Sequence, residues 1–384
     1  MFIMLFVIGF LLPSSLNSVI TPSLLLGDFF ISVLLAAALF SNCIRPRQLF
    51  SVSIVLSVLL CLFIVLSSAI NLSSGVATFG YVVIFLKILI VSLLVCPNYN
   101  YALRIYYSYL CVSFVLVFLG VGVLWKFDFV SSIIESWYAD FYDLLVPNMI
   151  AADRPVGVFA SHSIAAFSYF VLAVSGVYYY RAGFGFVNLI FSFVFLIYIF
   201  FLDSYTSYFM MILFFCFCIS LFYTLISNVF IKVSCLCLFV CFGTVMVLAF
   251  APYMLGTDAN GFMSRYGDNG VLASAFNFFV NNPLIGLGII KVPSVYLTDS
   301  GYLESLVRGG LVYTIVLYFS YIVCMFRLLG RFDLSLFIVV FSFFCFEIGF
   351  PIMSYERTFY LLLILSSAVL LYKNTKRKKL YEEN

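Results

Sequence analysis

Runs of about twenty apolar residues separated by short polar breaks fill most of the chain. Each run predicts a helix that crosses a hydrocarbon core of about 30 Å at about 1.5 Å per residue. Twelve such spans are read near residues 2–20, 23–44, 48–70, 76–96, 102–124, 161–180, 184–202, 206–226, 229–250, 302–326, 334–351 and 357–372. Two intervals break the rhythm, at about 125–160 and 251–301. In the first, Val130, Ile133, Ile134, Trp137, Phe141, Leu144 and Leu145 recur at helical spacing, which predicts an amphipathic helix on the membrane over 125–146, ended by Pro147. The second runs into Asn281–Val312, NNPLIGLGIIKVPSVYLTDSGYLESLVRGGLV, where the polar chemistry concentrates. There Asn281, Asn282 and Pro283 predict a turn, Gly286 and Gly288 a pliant backbone, and Thr298, Asp299 and Ser300 supply capping oxygens ahead of a helix through Tyr302 and Glu304.

Composition fixes the class. With 65% hydrophobic and 9% charged residues the chain is far from a soluble domain, where roughly 25% charge is usual. The reading is an all-α polytopic membrane protein, a single integral domain over residues 1–384, with no basic soluble segment for a nucleic acid. The eleven cysteines fall in apolar runs without metal-site spacing, so neither a metal nor a cofactor is expected. The N-terminus lacks a basic leader region and is read as a retained first span.

The net charge of +3 hides an alternation. Arg45, Arg47, Arg104, Arg181, Lys232, Arg327 and Arg331 occupy every second connection and share a side with the basic tail 373–384, whose cations are Lys373, Lys376, Arg377, Lys378 and Lys379. Basic residues stay inside, so both termini are expected in the cytoplasm and both long loops outside. A charge at bilayer depth costs roughly 2.5 to 3.5 kcal/mol on insertion scales, and Lys87 and Glu347 stand at such depth. A structural pair, snorkelling or a function each accounts for them. Arg154, Arg265, Arg308 and Arg357 run against the inward bias, and outward cations at membrane level fit an anionic headgroup, because the guanidinium fork matches phosphate oxygens. Local pairs explain them equally; Glu304 and Arg308 have the favourable i,i+4 order. Asp299 reads either as a helix cap or as a proton acceptor. His162, the single histidine, stands at the mouth of the sixth span.

The order NNPLIGLG then TDSGYLESLVRGGLV, preceded by Arg154-Pro-Val-Gly-Val-Phe-Ala-Ser-His162 and set on about twelve spans with two large loops, resembles the bacterial O-antigen polymerases (the Wzy family). It resembles the O-antigen ligases more distantly. The resemblance covers the second half of the chain and implies a GT-C-like, metal-independent glycosyltransferase of the bacterial inner membrane, with its site and both large loops in the periplasm. Such enzymes move a growing glycan from undecaprenyl diphosphate to the non-reducing end of a new lipid-linked repeat unit, with inversion at the anomeric carbon. Implied partners are undecaprenyl-diphosphate-linked oligosaccharides and membrane lipid; the helix at 125–146 leaves room for a polysaccharide chain-length regulator. Carried over by position, Arg154 and Arg265 are assigned to the diphosphate, and Asp299 is the expected base. Arg308 and Arg357 are further diphosphate contacts, since Ser207 stands where relatives often carry an arginine after a small polar run. Tyr302, Glu304, His162, Glu347 and Lys87 complete the candidates. Asp299-Ser300 stands where the ligases carry a His-Asn pair, which weighs against a ligase. A twelve-span flippase or carrier of lipid-linked oligosaccharides, using Lys87 at midplane, is the alternative from another class.

Overall fold

The computed structural model describes residues 2–12, 52–72, 76–77, 99–138, 145–159, 161–225, 272–292, 300–330, 333–353 and 355–382, with isolated positions between them. Lys87, Arg265 and Asp299 lie outside the described residues, as do Arg45, Arg47, Lys232 and Arg331.

Twelve helices are present among the described residues: α1 (Phe2–Leu11), α2 (Val52–Ile70), α3 (Tyr99–Leu124), α4 (Asp128–Tyr138), α5 (Leu145–Ala151), α6 (His162–Arg181), α7 (Val187–Phe201), α8 (Tyr205–Leu225), α9 (Ala273–Asn281), α10 (Gly301–Leu329), α11 (Leu334–Phe346) and α12 (Glu356–Glu382). An antiparallel bridge pairs Val76 with Lys291 and Ala77 with Ile290. Four stretches, α3, α6, α10 and Arg357–Arg377 of α12, are long and apolar enough to cross a membrane. The chain is a multi-pass membrane protein. Helices α1, α2, α7 and α11 fall inside the remaining predicted spans that can be compared, and α8 starts one residue before its span.

Helix α6 is the axis of the bundle. Every residue from Ile164 to Gly176 is buried, as expected of a helix apolar all round. It packs against α7, α8 and α12. Small residues set the α6–α7 contact: the Ser192 hydroxyl donates to Ala173 O at 2.8 Å, and a Cβ on Gly176 would collide with Ser192. Close backbone approach of this kind is how helices associate where lipid is as apolar as leucine.

Contacts at the helix ends divide the bundle. At one end, Arg357 Nε and Nη2 donate to Phe10 O (2.9 Å) and Leu12 O (2.7 Å), Phe10 packs on Phe159 at 6.0 Å, and Phe167 packs on Phe346 at 4.9 Å. At the other, Tyr106 donates to Phe184 O at 3.2 Å, Tyr178 meets Ser335 at 3.1 Å, Thr375 donates to Ala182 O at 3.2 Å, and Lys373 donates to Leu329 O. The second end therefore gathers Arg104, Arg181, Arg327, Lys373, Lys376 and Arg377. The alternation of cations along the sequence is matched in space for the described members.

Three local expectations are corrected. Of the amphipathic helix expected over 125–146, residues 128–138 form α4 and 145–151 form α5, and 139–144 lie outside the described residues. Pro147 does not end a helix but stands in the first turn of α5, where its missing N–H removes no intrahelical bond. The apolar positions Val130 and Ile134 of α4 are buried against protein, with Val130 over Gly122 of α3. Inside the second long interval, residues 273–281 form α9, an element the sequence reading lacks. The basic tail continues α12 as helix to Glu382.

Candidate functional site

Residues 283–292 and 301–311 form a latch between a loop and a broken helix. Gly310 takes φ 78°, ψ −177° within α10 and interrupts it, and the helix folds back there, so that the Tyr302 ring on one side of the break lies 4.6 Å from the Tyr318 ring on the other. A break inside a helix releases backbone groups, and each one left buried without a partner costs roughly 1–3 kcal/mol. The loop satisfies them. Leu287 N–H donates to Val307 O (2.8 Å), Gly288 N–H to Arg308 O (2.7 Å), and Leu311 N–H to Pro283 O (2.8 Å). A Cβ on Gly286 would fall on the Arg308 carbonyl, and one on Gly310 on the Leu284 carbonyl. The outer side of the loop is held by α2: Ser68 Oγ accepts from Ile289 N–H at 3.0 Å and Asn71 Nδ2 donates to Gly286 O at 3.0 Å. Arg308, buried, closes the arrangement by donating from Nη1 to Gly288 O (3.2 Å) and Ile290 O (2.8 Å).

A second cluster forms at the end of the bundle opposite the cations. Helices α3, α5 and α7 all terminate there with a non-glycine residue in left-handed conformation: Lys126 (φ 58°), Asp153 (φ 55°) and Asp203 (φ 43°). The pattern at α3 is a 6→1 and 5→2 pair, Phe127 N–H to Gly122 O (2.8 Å) and Lys126 N–H to Val123 O (3.1 Å), a geometry glycine normally serves. At the basic end the chain does use glycine, at Gly183 and Gly330. Three polar residues in this conformation stand at one mouth, where the lysine adopts it at a cost of about 1 kcal/mol or more and the aspartates tolerate it better. Lys126 Nζ pairs with Asp153 Oδ2 at 3.0 Å. Arg154 Nη2 donates to Asp203 O at 3.3 Å, the Tyr208 hydroxyl donates to Asp203 Oδ1 at 2.6 Å, and the Arg154 guanidinium lies within electrostatic reach of His162. His162 Nδ1 is buried without a hydrogen-bond partner among the described residues. Ser163 and Thr206 hydroxyls meet at 3.3 Å. Ser207 is committed to the turn: its hydroxyl accepts from Ser204 N–H at 2.9 Å while its own N–H donates to Ser204 Oγ at 3.1 Å.

The third cluster joins the start of α10 to the end of α11. Ser300 caps α10, accepting from Leu303 N–H at 3.4 Å, so the cap position belongs to Ser300, one residue beyond Asp299. Buried Glu347 lies against this start: its carboxylate accepts from the Tyr318 hydroxyl (2.8 Å) and Met353 N–H (3.0 Å), and its carbonyl accepts from Gly301 N–H (2.9 Å). The positive helix end favours a carboxylate there. A Cβ on Gly301 would overlap the Glu347 carboxylate. Tyr302 donates to Phe344 O at 3.0 Å, and its ring lies 4.6 Å from that of Tyr318, tilted by 38°. Glu304 follows in the first turn.

Of the arginines read as diphosphate ligands, the structure puts Arg154 at the mouth with a partly exposed guanidinium. Arg308 is held by loop carbonyls, and Arg357 by Phe10 O, Leu12 O and the Tyr355 hydroxyl. Arg357 thereby ties the last carbonyls of α1 to the start of α12. Asp203, Tyr208 and Tyr318 were not singled out as site residues, and their signal is weak: Asp203 lacks the glycine that marks a left-handed turn, and Tyr318 is one of 27 tyrosines. Comparison with protein-family models, with curated proteins and with solved structures finds no match to this chain.

Proposed function

We propose that the protein is a GT-C-like glycosyltransferase of the O-antigen polymerase type, working at the periplasmic face of the inner membrane with both termini in the cytoplasm. The observation that carries this reading is the convergence of Arg154, His162 and the Asp203 turn at the bundle end opposite the cations. A mouth with a partly exposed guanidinium beside hydroxyl and carboxylate groups suits a lipid-linked sugar diphosphate. In the reaction, Arg154 and Arg265 hold the diphosphate of the glycan donor. An acceptor sugar hydroxyl attacks the anomeric carbon, the bond from that carbon to the diphosphate oxygen breaks, and Asp299 takes the hydroxyl proton. The charge left on undecaprenyl diphosphate is stabilised by the preorganised guanidinium groups. Asp299 lies two residues ahead of Gly301, at the end of α10 that Glu347 and Ser300 fix in place.

The test is glycan length in cells carrying variants at equal expression. Arg154→Ala and Asp299→Asn are expected to insert normally and to cut long-chain product by about 10²-fold or more, the scale of losing a charge stabiliser or a base. Wild-type chain length in either variant removes that residue's role. A deletion that leaves bare core, in place of core capped by one repeat, points to a ligase.

One observation favours a carrier as the second reading: α10 is broken at Gly310, and broken helices surround substrate sites in transporters. Reconstituted protein that moves a lipid-linked oligosaccharide across vesicles without lengthening it would establish that reading.

A further inference from the structure

The basic end of the bundle contains a group that its neighbours leave unsatisfied. Arg181 ends α6, and its guanidinium lies over the Tyr372 ring of α12 at 5.5 Å. Its Nη1 is buried and has no hydrogen-bond partner among the described residues. A cation in the last turn of a helix is favoured by the macrodipole, which accounts for an arginine at this position but not for a buried N–H without an acceptor. The nearby acid does not supply one. Asp333 lies close enough to act electrostatically on Tyr178 and Lys373, but its Oδ1 accepts from Ser335 Oγ (2.6 Å) and Leu336 N–H (2.9 Å) as the cap of α11. Lys373 is directed to Leu329 O at the end of α10. One turn beyond Tyr372, on the face of α12 that carries the Arg181 stack, stands exposed Lys376, and Arg377 stands one turn beyond Lys373. Lys373, Lys376 and Arg377 of α12 and Arg181 thus gather at the end that holds Asp333, whose Oδ1 already serves as a cap.

We infer that Arg181, with Lys376 beside it, binds a phosphate oxygen, with the stacked Tyr372 ring fixing the guanidinium plane. The chemistry fits the phosphodiester of an anionic lipid headgroup, since basic pockets between helices at a membrane boundary recognise such groups, and it fits free phosphate. Arg suits the position because its fork donates in plane to two oxygens while its face stacks on an aromatic ring. The site is at the opposite end of the bundle from Arg154, and it does not rest on the glycosyltransferase reading.

The experiment uses the full chain purified in detergent, titrated with phosphatidylglycerol, phosphatidylcholine or inorganic phosphate and read by native mass spectrometry and by thermal melting. Phosphatidylglycerol is expected to remain bound and raise the melting temperature, with Arg181→Gln and Lys376→Gln each weakening its binding by about tenfold, the effect of about 1.4 kcal/mol. Arg327→Gln, a cation of the same end outside the cluster, is expected to bind as the wild type does. If inorganic phosphate protects the wild type as well as the lipid does and both variants lose that protection, the site stands and its ligand is soluble. If phosphatidylcholine binds as tightly as phosphatidylglycerol, or if all three variants weaken binding equally, the site is overturned and the cations act only as a diffuse basic surface. Lys376 is exposed, so its variant folds and keeps the test decisive should Arg181→Gln destabilise the bundle.

Discussion

Gly286→Val is expected to abolish the folded protein, with a loss of about 3–6 kcal/mol. A valine Cβ at this position falls on the Arg308 carbonyl, so the loop must withdraw from the break in α10. Withdrawal removes the bonds from Leu287 and Gly288 to Val307 O and Arg308 O. Each carbonyl then lies in an apolar interior without a donor, at roughly 1–3 kcal/mol apiece. The loop also gives up its bonds to Ser68 of α2 and to Asn71 just past its end, so the effect reaches a helix more than 200 residues away in sequence. Gly286→Ala should do the same in weaker form. Gly349→Ala is the control, since a Cβ there meets nothing within 4 Å, and surface changes of that kind stay within about 0.5 kcal/mol. Monodispersity in detergent and thermal melting measure the difference. Equal melting of Gly286→Val and Gly349→Ala would show that the loop does not fill the break.

The same latch shows what the sequence could and could not convey. Membrane spans are legible because lipid imposes a length and a composition on every helix that crosses it. The boundaries of α3, α6 and α10 accordingly fall within a few residues of the predicted spans. The glycines of NNPLIGLG read only as a pliant turn, because the reason for them is a second backbone, at Val307 to Leu311, that approaches from elsewhere in the chain. Two glycine clusters, Gly286-x-Gly288 and Gly309-Gly310, within one polar island were the available trace of that approach. Arg154 and His162 were legible as outward polar groups at a predicted mouth. Their convergence with Asp203 was not, since Lys126, Asp153 and Asp203 end their helices without the glycine that would have marked the turns. Arg308 and Arg357 show the converse: charge against the inward bias reads as a ligand site, and the structure gives both guanidinium groups backbone carbonyls. An arginine with several donors is as useful for tying helix ends together in lipid as for holding a phosphate.

Glu347 carries the second large effect, and its variants separate packing from charge. Leucine at this position preserves volume but removes both acceptors, leaving the Tyr318 hydroxyl and Met353 N–H buried without partners. The expected loss for Glu347→Leu is about 3–5 kcal/mol, the range for breaking a buried polar network by removing one partner. Glutamine can turn its carbonyl to Met353 N–H and its amide to the Tyr318 oxygen, so Glu347→Gln should cost about 1 kcal/mol. Adding Tyr318→Phe to Glu347→Leu removes one of the two orphaned groups, and the double variant should be more stable than the sum of the single losses by about 1–2 kcal/mol. Thermal melting of the four proteins in one detergent gives the cycle. Additive losses would mean that the Tyr318–Glu347 contact does not hold the second half of α10 against the end of α11. In that case Glu347 would have to be anchored through Met353 alone, and Gly301→Ala, which pushes a Cβ into the carboxylate, should be tolerated. With the contact intact, Gly301→Ala is expected to destabilise the protein, because a carboxylate held on two sides has no room to yield.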